Sequence, residues 1–147
     1  MYERILVPTD GSALSKKAVK SAVELAAALG AEVVAVNVVP RYPRSYFEGG
    51  LAVSPSEIAR VERQWSDHGQ ALADEAGQAA EKAGVKARAI TVRSDLVAEA
   101  ILSAARKNKC DLVVMASHGR KGIKRLLLGS ETQHVLTHGN IPVLVLR

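Results

Sequence analysis

The stretch RILVPTDGSALSKKAVKSAVELAAALGAEVVAVNVV, residues 4–39, decides the fold. Ile5, Leu6 and Val7 make a short apolar run that stops in turn chemistry at Thr9-Asp10-Gly11-Ser12. From Ser12 to Leu29 the apolar residues Leu14, Ala18, Val19, Ala22, Leu25, Ala26 and Leu29 recur at helical spacing. Ser12 is placed to cap that helix and Gly30 to end it. Glu32–Val39 is rich in β-branched residues and apolar on both faces, which suits a strand covered on both sides. Strand, helix and strand in this order form the unit of a parallel sheet.

Working outward, the unit repeats. Residues 40–54 carry Pro40, Pro43, Gly49, Gly50 and the tyrosines Tyr42 and Tyr46, and make a loop longer than most connections. Ser54-Pro55-Ser56-Glu57 offers a helix start: a cap, a proline at the first position, and a glutamate three residues after the cap. That helix is expected to run to about Ala83, where Gly84 stops it. Strands follow at Lys86–Val92, Leu112–Ala116 and Pro142–Leu146, with helices at Leu96–Lys107 and Ser130–His138. The order βαβαβαβαβ predicts an α/β fold, an open five-stranded parallel sheet with helices on both faces, in one domain spanning residues 1–147.

Composition narrows the class. The chain has 147 residues, 48% hydrophobic and 24% charged, as an ordinary globular chain does. With 3% aromatic residues, the core must be built from Ala, Val, Leu and Ile. No apolar run approaches the roughly 18 residues that span a bilayer, so no membrane partner is expected. The start, Met1-Tyr2-Glu3-Arg4, moves straight into a strand without the pattern of a secretory leader. A single cysteine, Cys110, fits a reducing compartment, and the cytoplasm is the expected location. The net charge of +5 is spread over separate segments, with no dense basic tract and no aromatic residues interleaved with the cations. Nucleic acid is not the expected partner.

In open parallel sheets, ligands sit beyond the carboxyl ends of the strands where strand order reverses. Two loops qualify: Pro8-Thr9-Asp10-Gly11 after the first strand and Ala116-Ser117-His118-Gly119 after the fourth. In the second, Gly119 and Gly129 are separated by nine residues, with Arg120, Lys121, Lys124 and Arg125 between them. Gly129 stands directly before Ser130, where a helix begins and its uncapped N–H groups can receive an anion. Ser130-Glu131-Thr132-Gln133 is equally a capping box that needs no ligand, and the two readings are compatible. Asp10 can accept hydrogen bonds from a ribose hydroxyl, hold a metal-associated water, or close an Asx-turn.

Other features carry less. The P-loop, the dinucleotide glycine fingerprint and the nucleophile elbow are all absent from the sequence. His134 and His138 are spaced i, i+4, but without a third ligand they read as surface histidines near a helix C-terminus. Cys110 lacks a partner base in sequence, and Trp65 reads as a packing or interface residue.

Taken in order, several segments make the chain resemble a universal stress protein of the small single-domain type over essentially its whole length. They are Ile5-Leu6-Val7-Pro8-Thr9-Asp10-Gly11-Ser12, then Asp111-Leu112-Val113-Val114-Met115 into Ser117-His118-Gly119-Arg120, then Leu127-Leu128-Gly129-Ser130, and the close Ile141-Pro142-Val143-Leu144-Val145. The resemblance implies a Rossmann-like fold of the adenine nucleotide alpha hydrolase type. Members that bind ATP carry Gly-x2-Gly-x9-Gly-Ser/Thr. Gly119, Gly129 and Ser130 match it, while the first glycine position is Ala116.

By this resemblance Pro8, Thr9, Val38, Met115 and Ala116 would border the adenine, and Asp10 would address the ribose or the metal-associated side. Gly119, Arg120, Gly129, Ser130 and the N–H of Glu131 would hold the phosphates of ATP, with Mg²⁺ coordinated largely by phosphate oxygens. The resemblance also implies a regulatory homodimer rather than an enzyme, joined through the last strand. That strand, Val143-Leu144-Val145-Leu146, is an apolar edge unless paired, which is a separate physical reason to expect a partner. The alternative is a stress protein that ignores nucleotide and acts through protein partners, with Ala116 as its mark.

Overall fold

The computed structural model describes residues 1–43, 53–119 and 128–147. Its elements are β1 (Arg4–Pro8), α1 (Ala13–Leu29), β2 (Glu32–Val39), α2 (Pro55–Lys82), β3 (Ala87–Arg93), α3 (Val97–Lys107), β4 (Leu112–Ala116), α4 (Ser130–His138) and β5 (Val143–Leu146). The helix boundaries have local causes. Ser12 Oγ accepts from the Ser15 N–H at 3.2 Å to start α1, and Gly30, at φ +69°, ends it. Ser54 Oγ accepts from the Glu57 N–H at 3.3 Å, with Pro55 in the first turn of α2.

The five strands are parallel in the order β3-β2-β1-β4-β5. The chain winds outward from β1 through β2 to β3, then crosses back to β4 and β5, so the order reverses between β1 and β4. Ile5, Val7, Val33, Ala35, Leu112 and Val114 face one way and pack under α1 and α2. Leu6, Val34, Val36, Val113 and Met115 face the other way, under α3 and α4. Both faces of the central strands are therefore buried, which is why those strands read as unbroken apolar runs.

The two sheet edges differ. The carbonyl of Lys86 accepts from the Val33 N–H and the Ser94 N–H donates to Val39 O, so Ala89, between them in alternation, faces away from β2. Gln70 of α2 covers that outward edge: its Nε2 donates to Ala89 O at 3.0 Å. At β5, Pro142 O and Leu146 O accept from Val113 and Ser117, which turns the polar groups of Val143 and Val145 outward. Leu144 beside them is 44% exposed.

Candidate functional site

The reversal of strand order places the loops after β1 and β4 side by side. Thr9 is pinned at both of its peptide groups: its N–H donates to Val36 O at 2.9 Å, and its carbonyl accepts from Asn37 Nδ2 at 2.8 Å. The turn then tightens. Ser12 N–H donates to Asp10 Oδ1 at 2.9 Å, and Gly11 takes φ +79°, a conformation that favours glycine. The Asx-turn expected as one alternative for Asp10 is thus formed, and its other oxygen faces the second loop. A Cβ built on Gly119 would lie 2.9 Å from Asp10 Oδ2. A side chain at residue 119 would require the Asp10 carboxylate to shift.

The start of α4 completes the floor. Gly129 N–H donates to Ser117 O at 2.7 Å, and Gly129 O accepts the first helical bond, from Gln133 N–H, at 2.9 Å. The helix cap is therefore Gly129, with Ser130 the first helical residue. This corrects the expected capping box. Ser130 makes no cap bond, and Glu131 turns away, its Oε2 accepting from the Ala98 N–H at 2.9 Å. The reason is tertiary: α3 begins after Leu96, which has no side-chain cap to give, and the Glu131 carboxylate supplies one. Thr132 Oγ1, buried, donates to Ala116 O at 3.0 Å and Ser117 O at 3.2 Å, tying α4 to the end of β4.

The N–H groups of Ser130, Glu131 and Thr132 precede the first helical bond, at the positive end of a nine-residue helix. Ser130 and Glu131 are exposed. A Cβ on Gly129 would meet Ser117 O at 3.0 Å and His118 Cα at 3.2 Å, both backbone atoms. The two glycines thus form a cradle that side chains would fill. Val38 and Met115 lie on the α3/α4 side of the sheet near the strand ends, Val38 half-buried and Met115 almost wholly buried. Arg120 and the neighbouring Lys121, Lys124 and Arg125 lie outside the described residues.

Other side chains singled out in the sequence are accounted for away from the loops. His134 and His138 stack with ring centroids 4.0 Å apart, and no group of three metal-ligating side chains occurs among the described residues. Trp65 stacks on Tyr42 at 6.1 Å. Burial pushes the Cys110 thiol up to about 11, which leaves it protonated and unreactive at neutral pH. A groove of about 370 Å³ runs between α1 and α2, floored by Val19, Val23, Leu72 and Ala76 and reaching Thr9 and Gly11. No helix among the described residues is long and apolar enough to cross a membrane.

The model of the universal stress protein family matches residues 1–147. The chain belongs to that family. A universal stress protein of Methanocaldococcus jannaschii is 35% identical over 147 residues, covering 100% of this chain and 83% of that protein. Among solved structures, a protein of the universal stress protein family from Burkholderia pseudomallei is 30% identical, with TM-score 0.74 and coverage of 99% of this chain and 96% of that one. A universal stress protein solved in complex with cAMP is 26% identical, with TM-score 0.68 and coverage of 99% and 97%. The parallel five-stranded fold is that of the family.

Asn37 and Gly69 were not singled out as site residues by the sequence. A lone amide in the apolar run EVVAVNVV and a glycine inside a long helix are the signals that point to them.

Proposed function

We propose that this universal stress protein binds ATP with Mg²⁺ at the junction of the β1 and β4 loops and acts as a regulatory homodimer in the cytoplasm rather than as an enzyme. The observation that carries the reading is the glycine cradle at the start of α4. Gly129 sits where a Cβ would press on the backbone of Ser117 and His118, and the exposed Ser130 and Glu131 lie directly beyond it. Such a helix start offers N–H donors and a positive dipole end to an anion. The relative solved with cAMP supports an adenine nucleotide as the class of ligand.

In this reading Pro8, Thr9, Val38, Met115 and Ala116 border the base, and Asp10 receives the ribose hydroxyls. The backbone of Gly119, Gly129, Ser130 and Glu131, with Arg120, holds the phosphates. Mg²⁺ would be coordinated largely by the phosphate oxygens and would neutralise part of their charge. The dimer forms through the outward edge of β5, where the polar groups of Val143 and Val145 point away from β4 beside the exposed Leu144.

A calorimetric titration of nucleotide-stripped protein with Mg-ATP, then with AMP, tests the site. Micromolar affinity for ATP and much weaker binding of AMP are expected, because the phosphates carry the energy. Gly129→Val should abolish binding while the far-ultraviolet spectrum stays that of the folded protein. Absence of heat up to millimolar ATP would transfer the function to protein partners, with the Ala116 methyl closing the site.

A further inference from the structure

One line of polar contacts crosses the α1/α2 side of the sheet and ends at the candidate site. Asn37 is 7% exposed in an otherwise apolar strand. Its Nδ2 donates to Thr9 O at 2.8 Å, in the β1–α1 loop. Its Oδ1 lies against Gly69 of α2, in the space a side chain there would take, and a Cβ on Gly69 would also stand 2.7 Å from Val39 Cγ2. A glycine in a helix interior is less favourable than alanine, and this one sits where the amide needs its place.

The next residue of α2 repeats the tie one strand further out. Thr91, the register partner of Asn37 on β3, donates its hydroxyl to Gln70 Oε1 at 2.9 Å. Gln70 Nε2 donates in turn to Ala89 O at 3.0 Å and Asp74 Oδ1 at 2.9 Å. Residues 69 and 70 therefore fix the helix on β2 and β3 at one level, and Asn37 carries that placement to β1.

We propose that Asn37 is a positioning residue for the β1–α1 loop, holding the Thr9 carbonyl, and with it the Asp10 turn, from a seat set by Gly69 and Gln70 of α2. Val36 O already fixes the Pro8–Thr9 peptide through the Thr9 N–H, so the amide of Asn37 fixes the next one, Thr9–Asp10, through the Thr9 carbonyl. The loop is thereby formed before any ligand arrives, which spares binding the ordering of that segment. Displacement of α2 at this level would loosen Asp10 without touching it. The bearing of Asn37 on nucleotide affinity rests on the nucleotide site proposed above.

Asn37→Leu keeps the shape of the side chain and removes the donor, and Gly69→Ala drives a methyl into the seat of Asn37 from another element. Amide hydrogen exchange of the nucleotide-free variants is read at Thr9 and Ser12, with α3 as internal reference, and Mg-ATP affinity is measured alongside. Both variants should speed exchange at Thr9 and Ser12 by about tenfold relative to α3. Both should weaken Mg-ATP binding by on the order of tenfold. Unchanged local exchange in both variants overturns the proposal. Faster local exchange in a protein that binds no nucleotide, in wild type as in variants, upholds the positioning role and removes the nucleotide reading instead.

Discussion

Asp10 and Gly119, 109 positions apart in the sequence, meet where the strand order reverses: Asp10 Oδ2 lies 2.9 Å from the place a Cβ on Gly119 would occupy. The other carboxylate oxygen of Asp10 is engaged by the Ser12 N–H at 2.9 Å, so the group has a fixed direction. Neither loop alone makes the candidate site. Their approach does, and the direction of the Asp10 carboxylate in it depends on the missing side chain at residue 119.

Gly119→Ala therefore sets a methyl against the Asp10 carboxylate and forces it out of the direction that the Ser12 N–H fixes. The fold should survive, because the change lies at the rim of the sheet and leaves both apolar layers intact. Affinity for Mg-ATP should fall by on the order of tenfold or more, as expected when a site built for close approach loses its geometry. Calorimetric titration of the variant checks this, with the thermal midpoint as the control for folding. An affinity equal to wild type would dissociate the β4 loop from the site.

Thr132 offers a test of the scaffold. Its buried hydroxyl is shared between Ala116 O and Ser117 O at 3.0 and 3.2 Å. Thr132→Val keeps the shape and takes the hydroxyl donor from Ala116 O, while Ser117 O keeps its bond from the Gly129 N–H; losing such a buried hydrogen bond costs about 1–3 kcal/mol. Thr132→Ser should recover most of the loss. Denaturant midpoints of the three proteins decide the matter.

Much of the fold was legible because each element announces itself locally. The bounds of β2, β4 and α4 coincide with those read from the sequence, since double-sided burial leaves an unbroken apolar run and helix stops are single residues. The start of α4 was placed correctly but for the wrong cause. Ser130-Glu131-Thr132-Gln133 has the pattern of a capping box, yet Ser117 O captures the Gly129 N–H and the unprotected start of α3 captures Glu131. Those competitors are distant in sequence, and no local pattern reports them. Asn37 and Gly69 were visible as departures from pattern, but their meaning exists only where α2 crosses β2.

The edge strands make a prediction about assembly. Gln70 covers the outward carbonyl of Ala89 on β3, while the outward groups of Val143 and Val145 on β5 have no such cover among the described residues. Val145→Pro removes an N–H that points away from β4 and so spares the internal ladder. The proposed dimer should weaken by at least tenfold, because pairing along an edge is carried by those groups. Sedimentation equilibrium of wild type and variant measures it, and a Gln70→Ala control should leave the dimer constant unchanged.

The far end of β1 supplies a pH test with a definite sign. Glu32 is held below its ordinary value of 4.5 by Lys86 first and Arg4 second, with Lys86 Nζ at 3.2 Å and Arg4 Nε at 3.0 Å. A depressed carboxyl binds its proton later in the folded chain than in the unfolded one. Its stabilising contribution is thus complete above the unfolded value near 4.5 and is lost as pH falls through the folded value. Glu32→Gln should lower the thermal midpoint at pH 7, and the effect should fade as pH falls from the unfolded value near 4.5 through the lower folded one, where wild type is protonated too. Salt should narrow the gap at pH 7 only in part. The Lys86 side chain is 75% exposed and is screened, whereas Arg4 and Glu32 are near 25%, and Arg4 Nη1 also donates to the Asn108 carbonyl at 2.8 Å. A gap between wild type and variant that persisted undiminished down to the pH at which the wild-type carboxyl is protonated in the folded chain would assign Glu32 a packing role in place of an ionic one.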